Sequence, residues 1–152
     1  MIMVVLGSCS SGPNFKPRKV NYDRDVCAQC LMGIADQHYA VQVINSEGDV
    51  RWFDDIGCLF VYMKSPDWQK FVKSGAYKIW IGDSQGSSDN EWIDAHKAFY
   101  TFGKNTPMGY GYSAEKKATD SSFTFLQVQK RIVEGKTIRE KFLEKYKLKR
   151  KN

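Results

Sequence analysis

Tyr39-Ala40-Val41-Gln42-Val43-Ile44-Asn45-Ser46-Glu47-Gly48-Asp49-Val50-Arg51-Trp52-Phe53 is the stretch on which the fold turns. Its first six residues alternate well enough for a strand, Asn45-Ser46-Glu47-Gly48 is a turn, and Val50-Arg51-Trp52-Phe53 reads as the returning strand of a hairpin. Asp54 or Asp55 is then placed to cap a helix whose apolar positions Ile56, Phe60 and Met63 share one face. That helix has to stop before Pro66, because the residue preceding a proline avoids helical dihedrals. Met63 is read as core. A short amphipathic turn follows at residues 68–72, and Tyr77-Lys78-Ile79-Trp80-Ile81 makes another strand. The order is strand, strand, helix, strand.

Beyond it, residues 82–90 form a polar linker of glycine, serine and aspartate, and a second set of strands begins. Trp92-Ile93-Asp94-Ala95 and Ala98-Phe99-Tyr100-Thr101-Phe102 are the clearest of these, and Tyr110-Gly111-Tyr112 continues the sheet. A helix is expected over residues 123–133 from Phe125, Leu126, Val128 and Ile132. After Gly135 comes a charged helix carrying Ile138, Phe142, Leu143 and Tyr146. The expected class is α+β, a mainly antiparallel sheet with packed helices, dividing into two ββαβ-like halves. At 152 residues and 42% hydrophobic, the chain holds apolar material for one ordinary domain, placed at residues 22–148.

The formal charge is +6, and the basic residues gather at the ends, above all in residues 136–151. A solvated helical face explains this best, with anionic lipid headgroups or an acidic partner as the sharper alternative; nucleic acid is not expected. Residues 1–8 are mostly apolar and lead into Leu6-Gly7-Ser8-Cys9, which resembles a bacterial lipobox. There the cysteine is acylated, and small residues such as Gly7 and Ser8 precede it. A charged n-region is missing and the apolar run is short, so residues 1–9 are expected to be a truncated lipoprotein signal. The plainer alternative is a buried first strand with Cys9 as an ordinary thiol. Residues 10–21, with two prolines, two serines and three basic side chains, read as a tether. No other segment reaches the ~18–20 apolar residues that a membrane-spanning helix needs.

The chemistry concentrates in Cys27-Ala28-Gln29-Cys30-Leu31-Met32. A CxxC spacing allows a disulfide, a shared metal ion or redox catalysis. Met32 adds a thioether, and thiolate with thioether selects copper(I) over harder metals. Structural zinc wants four nitrogen or sulfur ligands, but one CxxC pair supplies two, and the remaining cysteines are Cys9 and Cys58. A further methionine sits in Pro107-Met108-Gly109, where proline and glycine fix a loop. Taken alone, Met108 would be a core gap-filler.

Four blocks in order then resemble the NosL family: Asp25-Val26-Cys27-Ala28-Gln29-Cys30-Leu31-Met32, Phe53-Asp54-Asp55-Ile56-Gly57-Cys58, Trp92-Ile93-Asp94-Ala95 with Ala98, and Pro107-Met108-Gly109. The resemblance implies a copper(I) site using the cysteine and methionine of a Cys-Gly-Met motif. These carry over to Cys30 and Met32, with Met108 as a third donor. Leu31 stands where the family usually has glycine, which bears on the backbone angle between the two donors. The resemblance also implies delivery of copper to nitrous oxide reductase maturation outside the cytoplasm, through a membrane ABC-type assembly complex, by a carrier lipid-anchored at Cys9. A copper ion shared between two chains would make a homodimer.

Around that core, Cys27 is either a fourth donor or the disulfide partner of Cys30. Cys58 stands after a helix start, where a dipole could lower its pKa, but its apolar neighbours favour core packing. His38 and His96 are the two histidines; either imidazole could complete a copper site, His96 the more so because it adjoins the Trp92 block, but a histidine beside a strand is usually structural or solvent-facing. The competing class is a thiol-disulfide oxidoreductase attacking through Cys27 and resolving through Cys30. Such enzymes carry CxxC at a helix start after a strand, whereas here it precedes the first clear strand. A purely structural lipoprotein, its thiols joined in a disulfide, is the third reading.

Overall fold

A computed structural model describes residues 12–149; Cys9 and the lipobox lie outside the described residues. The hairpin forms as β1 (Val41–Asn45) and β2 (Val50–Phe53), with Val41 opposite Phe53 and Ile44 opposite Val50. Its turn is held by Asn45, whose Oδ1 accepts from the N–H groups of Glu47 and Asp49. Gly48 supplies the left-handed dihedral, φ 84°, that closes it. β3 (Tyr77–Gly82) pairs with the other edge of β1, and β4 (Trp92–Asp94) pairs with β3. The result is an antiparallel sheet in the order β2-β1-β3-β4, beside a two-stranded antiparallel sheet of β5 (Phe99–Phe102) and β6 (Tyr112–Glu115).

The α+β class with antiparallel pairing is therefore what the chain adopts. The first ββαβ unit is present, but Trp92–Asp94 completes that sheet instead of opening a second one. The linker turns back on itself, with Asp83 N–H donating to Glu91 O at 3.0 Å, and so returns the chain to the edge of β3. The later strand begins at Tyr112, after the bend at Gly111.

Helix boundaries follow their caps. Asp55 caps α1 (Ile56–Tyr62), its Oδ1 accepting from Gly57 N–H at 3.2 Å. Ser65 caps α2 (Pro66–Phe71), where Pro66 occupies the first turn and its missing N–H has no intrahelical bond to lose. The expected amphipathic turn is thus a short helix. α3 (Phe125–Val133) opens on a capping box between Thr124 and Gln127. α4 (Ile138–Lys149) buries none of its residues and leaves Phe142, Leu143, Tyr146 and Leu148 exposed. No described helix is long and apolar enough to cross a membrane.

On one face of the larger sheet, Val41, Val43, Phe53, Ile79 and Ile81 share a core with Ile56 and Leu59 of α1 and Trp68 and Phe71 of α2. Each such side chain contributes about 1.5–3 kcal/mol by leaving water. On the opposite face Gln42 is fully buried and exchanges two hydrogen bonds with the Arg18 backbone, at 2.8 and 2.9 Å. Trp80 Nε1 donates to Phe15 O at 2.7 Å, and Val20 is buried. The stretch read as a tether is therefore docked from Phe15 onward. Its composition lacks apolar periodicity because its backbone, more than its side chains, makes these contacts.

Candidate metal centre

β2 is an edge strand, and the CxxC segment occupies its free edge. Cys27 bridges to Trp52 in the parallel sense, with Ala28 N–H donating to Trp52 O at 2.8 Å. The loop is closed by Cys27 N–H to Met32 O at 2.8 Å, Leu31 N–H to Cys27 O at 2.9 Å, and a bridge from Val26 to Gly33. These bonds force Leu31 to φ 62°, the one non-glycine residue with positive φ among the described residues. A left-handed leucine costs about 1–2 kcal/mol, and the closed bonds on either side sustain it. Leu31 is 77% exposed, so packing does not set that conformation.

α1 brings a third thiol to this loop. The sulfurs of Cys27, Cys30 and Cys58 all lie within 4.8 Å of one another. Cys27 and Cys58 are buried, Cys30 is half-buried, and all three are free thiols. The Cys27 thiol is pushed down from its ordinary value, first by the S–H that Cys58 donates to it. Backbone N–H groups of Cys30, Asp54 and Gln29 add to this, against the opposing effect of burial. Cys58 is pushed up by giving that hydrogen bond and by burial. Cys30 is raised chiefly by burial, though the N–H of Met32 points at its sulfur. Cys58 is thus buried as expected, but its thiol is raised where a helix dipole alone would lower it.

Both carboxylates of the Asp54-Asp55 pair are buried. Asp54 Oδ1 accepts from Ala35 N–H at 2.8 Å, while its Oδ2 has no hydrogen-bond partner. Asp55 holds the other loop: Thr106 Oγ1 donates to its Oδ2 at 2.5 Å, and the N–H groups of Tyr110 and Met108 point at its carboxylate. Burial still outweighs these bonds and pushes Asp55 up to about 6. Met108 lies in the turn closed by Gly109 N–H to Thr106 O at 3.0 Å. It forms part of a groove of about 530 Å³ together with Arg139, Phe142 and Tyr146 of α4.

Cys27 and Cys30 are thus together. Met32 shares their loop and is 51% exposed, and Met108 is fixed to the start of the helix that carries Cys58. Neither imidazole joins the thiol cluster. His38 Nδ1 is paired with Asp36 at 2.7 Å, and exposed His96 stacks on Phe125 with ring centroids 4.3 Å apart. Three converging thiols suit a soft metal ion and leave little room for a hard one.

A family model of NosL matches residues 19–123, more than half of the chain. The chain belongs to the NosL family. Among solved structures it is similar to the crystal structure of the copper chaperone NosL from Shewanella denitrificans, with a TM-score of 0.56 and 19% identity. That match covers 72% of this chain and 84% of the other, and it bears on the fold alone. No curated protein matches the chain. The NosL span contains Cys27, Cys30, Met32, Cys58 and Met108, and α4 falls outside it. Leu31, at the glycine position of the NosL motif, keeps the backbone angle that glycine would adopt freely.

Cys58 is the residue whose place in the cluster the sequence hid. Its signal was present, since the Phe53-Asp54-Asp55-Ile56-Gly57-Cys58 block belongs to the resemblance. An apolar run around a cysteine speaks for burial, however, and burial does not exclude ligation.

Proposed function

We propose that this protein is a copper(I) metallochaperone that delivers copper for the maturation of nitrous oxide reductase, through an ABC-type assembly complex. The observation that carries the reading is the sulfur cluster of Cys27, Cys30 and Cys58 in a chain of the NosL family. The description of the Shewanella protein as a copper chaperone supports it. Cys30 and Met32 serve as the outward donors, with Cys27 and Met108 as further ligands. Acylation at Cys9 holds the carrier on the outer side of a membrane. Two or more acyl chains make that attachment durable where one would be marginal.

Transfer follows from exposure. Cys30 is half-buried and Met32 half-exposed, so a recipient's donors can reach a copper ion held there and replace these ligands one at a time. Thioether and thiolate suit such exchange because both bind copper(I) without recruiting oxygen ligands. Thiol-disulfide exchange is a poorer fit. The activated thiol, Cys27, has no exposed surface, while the accessible Cys30 is shifted away from thiolate.

Anaerobic titration of the reduced protein with copper(I) against a chromogenic competitor tests the reading. Uptake should collapse with Cys30→Ser and weaken with Met32→Leu or Met108→Leu. Absence of uptake by the wild type, or uptake indifferent to all three changes, would refute it.

A further inference from the structure

We infer that Cys58 is a metal ligand, so that Cys27, Cys30 and Cys58 form an inner three-sulfur seat for copper(I) behind the exposed Cys30–Met32 edge. The inference rests on the copper reading above and adds a residue and a coordination number to it.

Geometry is the first ground. The three sulfurs come from two separate elements, the loop on the free edge of β2 and the first turn of α1, and still fall within 4.8 Å of one another. Three sulfurs around one ion, each at about 2.3 Å, stand about 4 Å apart. Only a small contraction brings them to that spacing.

Burial is the second ground. Cys27 is 0% and Cys58 1% exposed, so two of the three donors are shut off from water and Cys30 alone opens outward.

Ligation replaces the S–H bonds of Cys30 and Cys58 with copper–sulfur bonds, as it does any proton on Cys27. Each proton goes to solvent, and the copper stays in the +1 state. Cys30 is then common to both arrangements. A copper ion taken up at the Cys30–Met32 edge passes to the inner seat when Cys27 and Cys58 displace the thioether. It leaves by the reverse exchange. The family's cysteine and methionine thus become the doorway, and the buried pair the hold.

The test uses the full reduced protein under anaerobic conditions, loaded with one equivalent of copper(I). X-ray absorption at the copper edge should count three sulfurs at one short distance in the wild type and two in Cys58→Ser. Competition should place Cys58→Ser at least roughly tenfold weaker. Cys58→Ala, which keeps the apolar surroundings without a hydroxyl, should give the same result, and the wild-type sulfur count stands even if a variant folds poorly. A two-sulfur shell in the wild type, or unchanged affinity and sulfur count in both variants, overturns the inference while leaving the chaperone reading intact. A wild type that takes up no copper overturns both.

Discussion

Two loops carry the methionines of interest, and they are held in opposite ways. Residues 27–32 run along the edge of β2, closed by their own backbone bonds and held inward at the buried Cys27 sulfur, and carry the strained Leu31 in the open. Residues 106–111 are pinned inside the protein: Thr106 and the N–H groups of Met108 and Tyr110 meet the buried Asp55 carboxylate, and glycines supply both positive dihedrals. The contrast teaches that the two methionines differ in freedom as well as position. Met32 sits on a surface loop that stores strain, whereas Met108 is set by an interior hydrogen-bond network.

The contrast breaks most severely at Gly57. A Cβ there would lie 2.1 to 2.4 Å from three atoms of the Tyr110 ring, at the base of the ring where it cannot swing aside. Gly57→Ala should cost about 3 kcal/mol, read as a lower urea midpoint.

The Asp55 carboxyl offers a milder test by pH. Its folded value of about 6 lies above the ordinary 3.8, so the native state holds the proton more tightly than the unfolded chain does. Its contribution to stability is therefore greatest below pH 4 and is lost as pH rises through 6. The loss is about 2–3 kcal/mol at 1.36 kcal/mol per unit. Asp55→Asn, which still caps α1, should flatten that part of the melting-temperature profile between pH 4 and 7. An unchanged slope would count against the buried carboxyl as its source.

Thr106→Val removes a donor to a buried carboxylate and should cost about 2 kcal/mol in denaturant unfolding. A loss near zero would mean that the loop is not pinned at this point.

The smallest effect belongs to the exposed loop and has the opposite sign. Leu31→Gly relieves about 1–2 kcal/mol of left-handed strain but loses about 0.5–1 to the freer unfolded chain. The net is a gain of about 0.5–1 kcal/mol. A destabilised Leu31→Gly would show that the leucine side chain, not the backbone, holds the turn.

The elements legible in the sequence were those with a local signature. The Asn45-Ser46-Glu47-Gly48 turn fixed the hairpin register, and α1 stops before Pro66, at Tyr62 with Met63 as its cap. Pro66 was read only as a stop, although Ser65 before it is a cap that starts α2. Partners distant in the chain were not visible. The docking of Arg18 on Gln42 spans 24 residues and uses backbone groups, which leave no pattern in residue types. Likewise, the CxxC pair and its methionine could be read as soft donors, but the third sulfur comes from a helix that approaches only once β2 and α1 have packed.

The hydrogen bond from Trp80 to Phe15 sets a leash length. A chain acylated at Cys9 would have five residues, and so six Cα-to-Cα steps, between its anchor and its first fixed point, and an extended chain of that length reaches at most about 20 Å. The domain would then ride close against the bilayer rather than sweep a wide volume above it. It would meet a recipient mainly by travelling in the plane of the membrane.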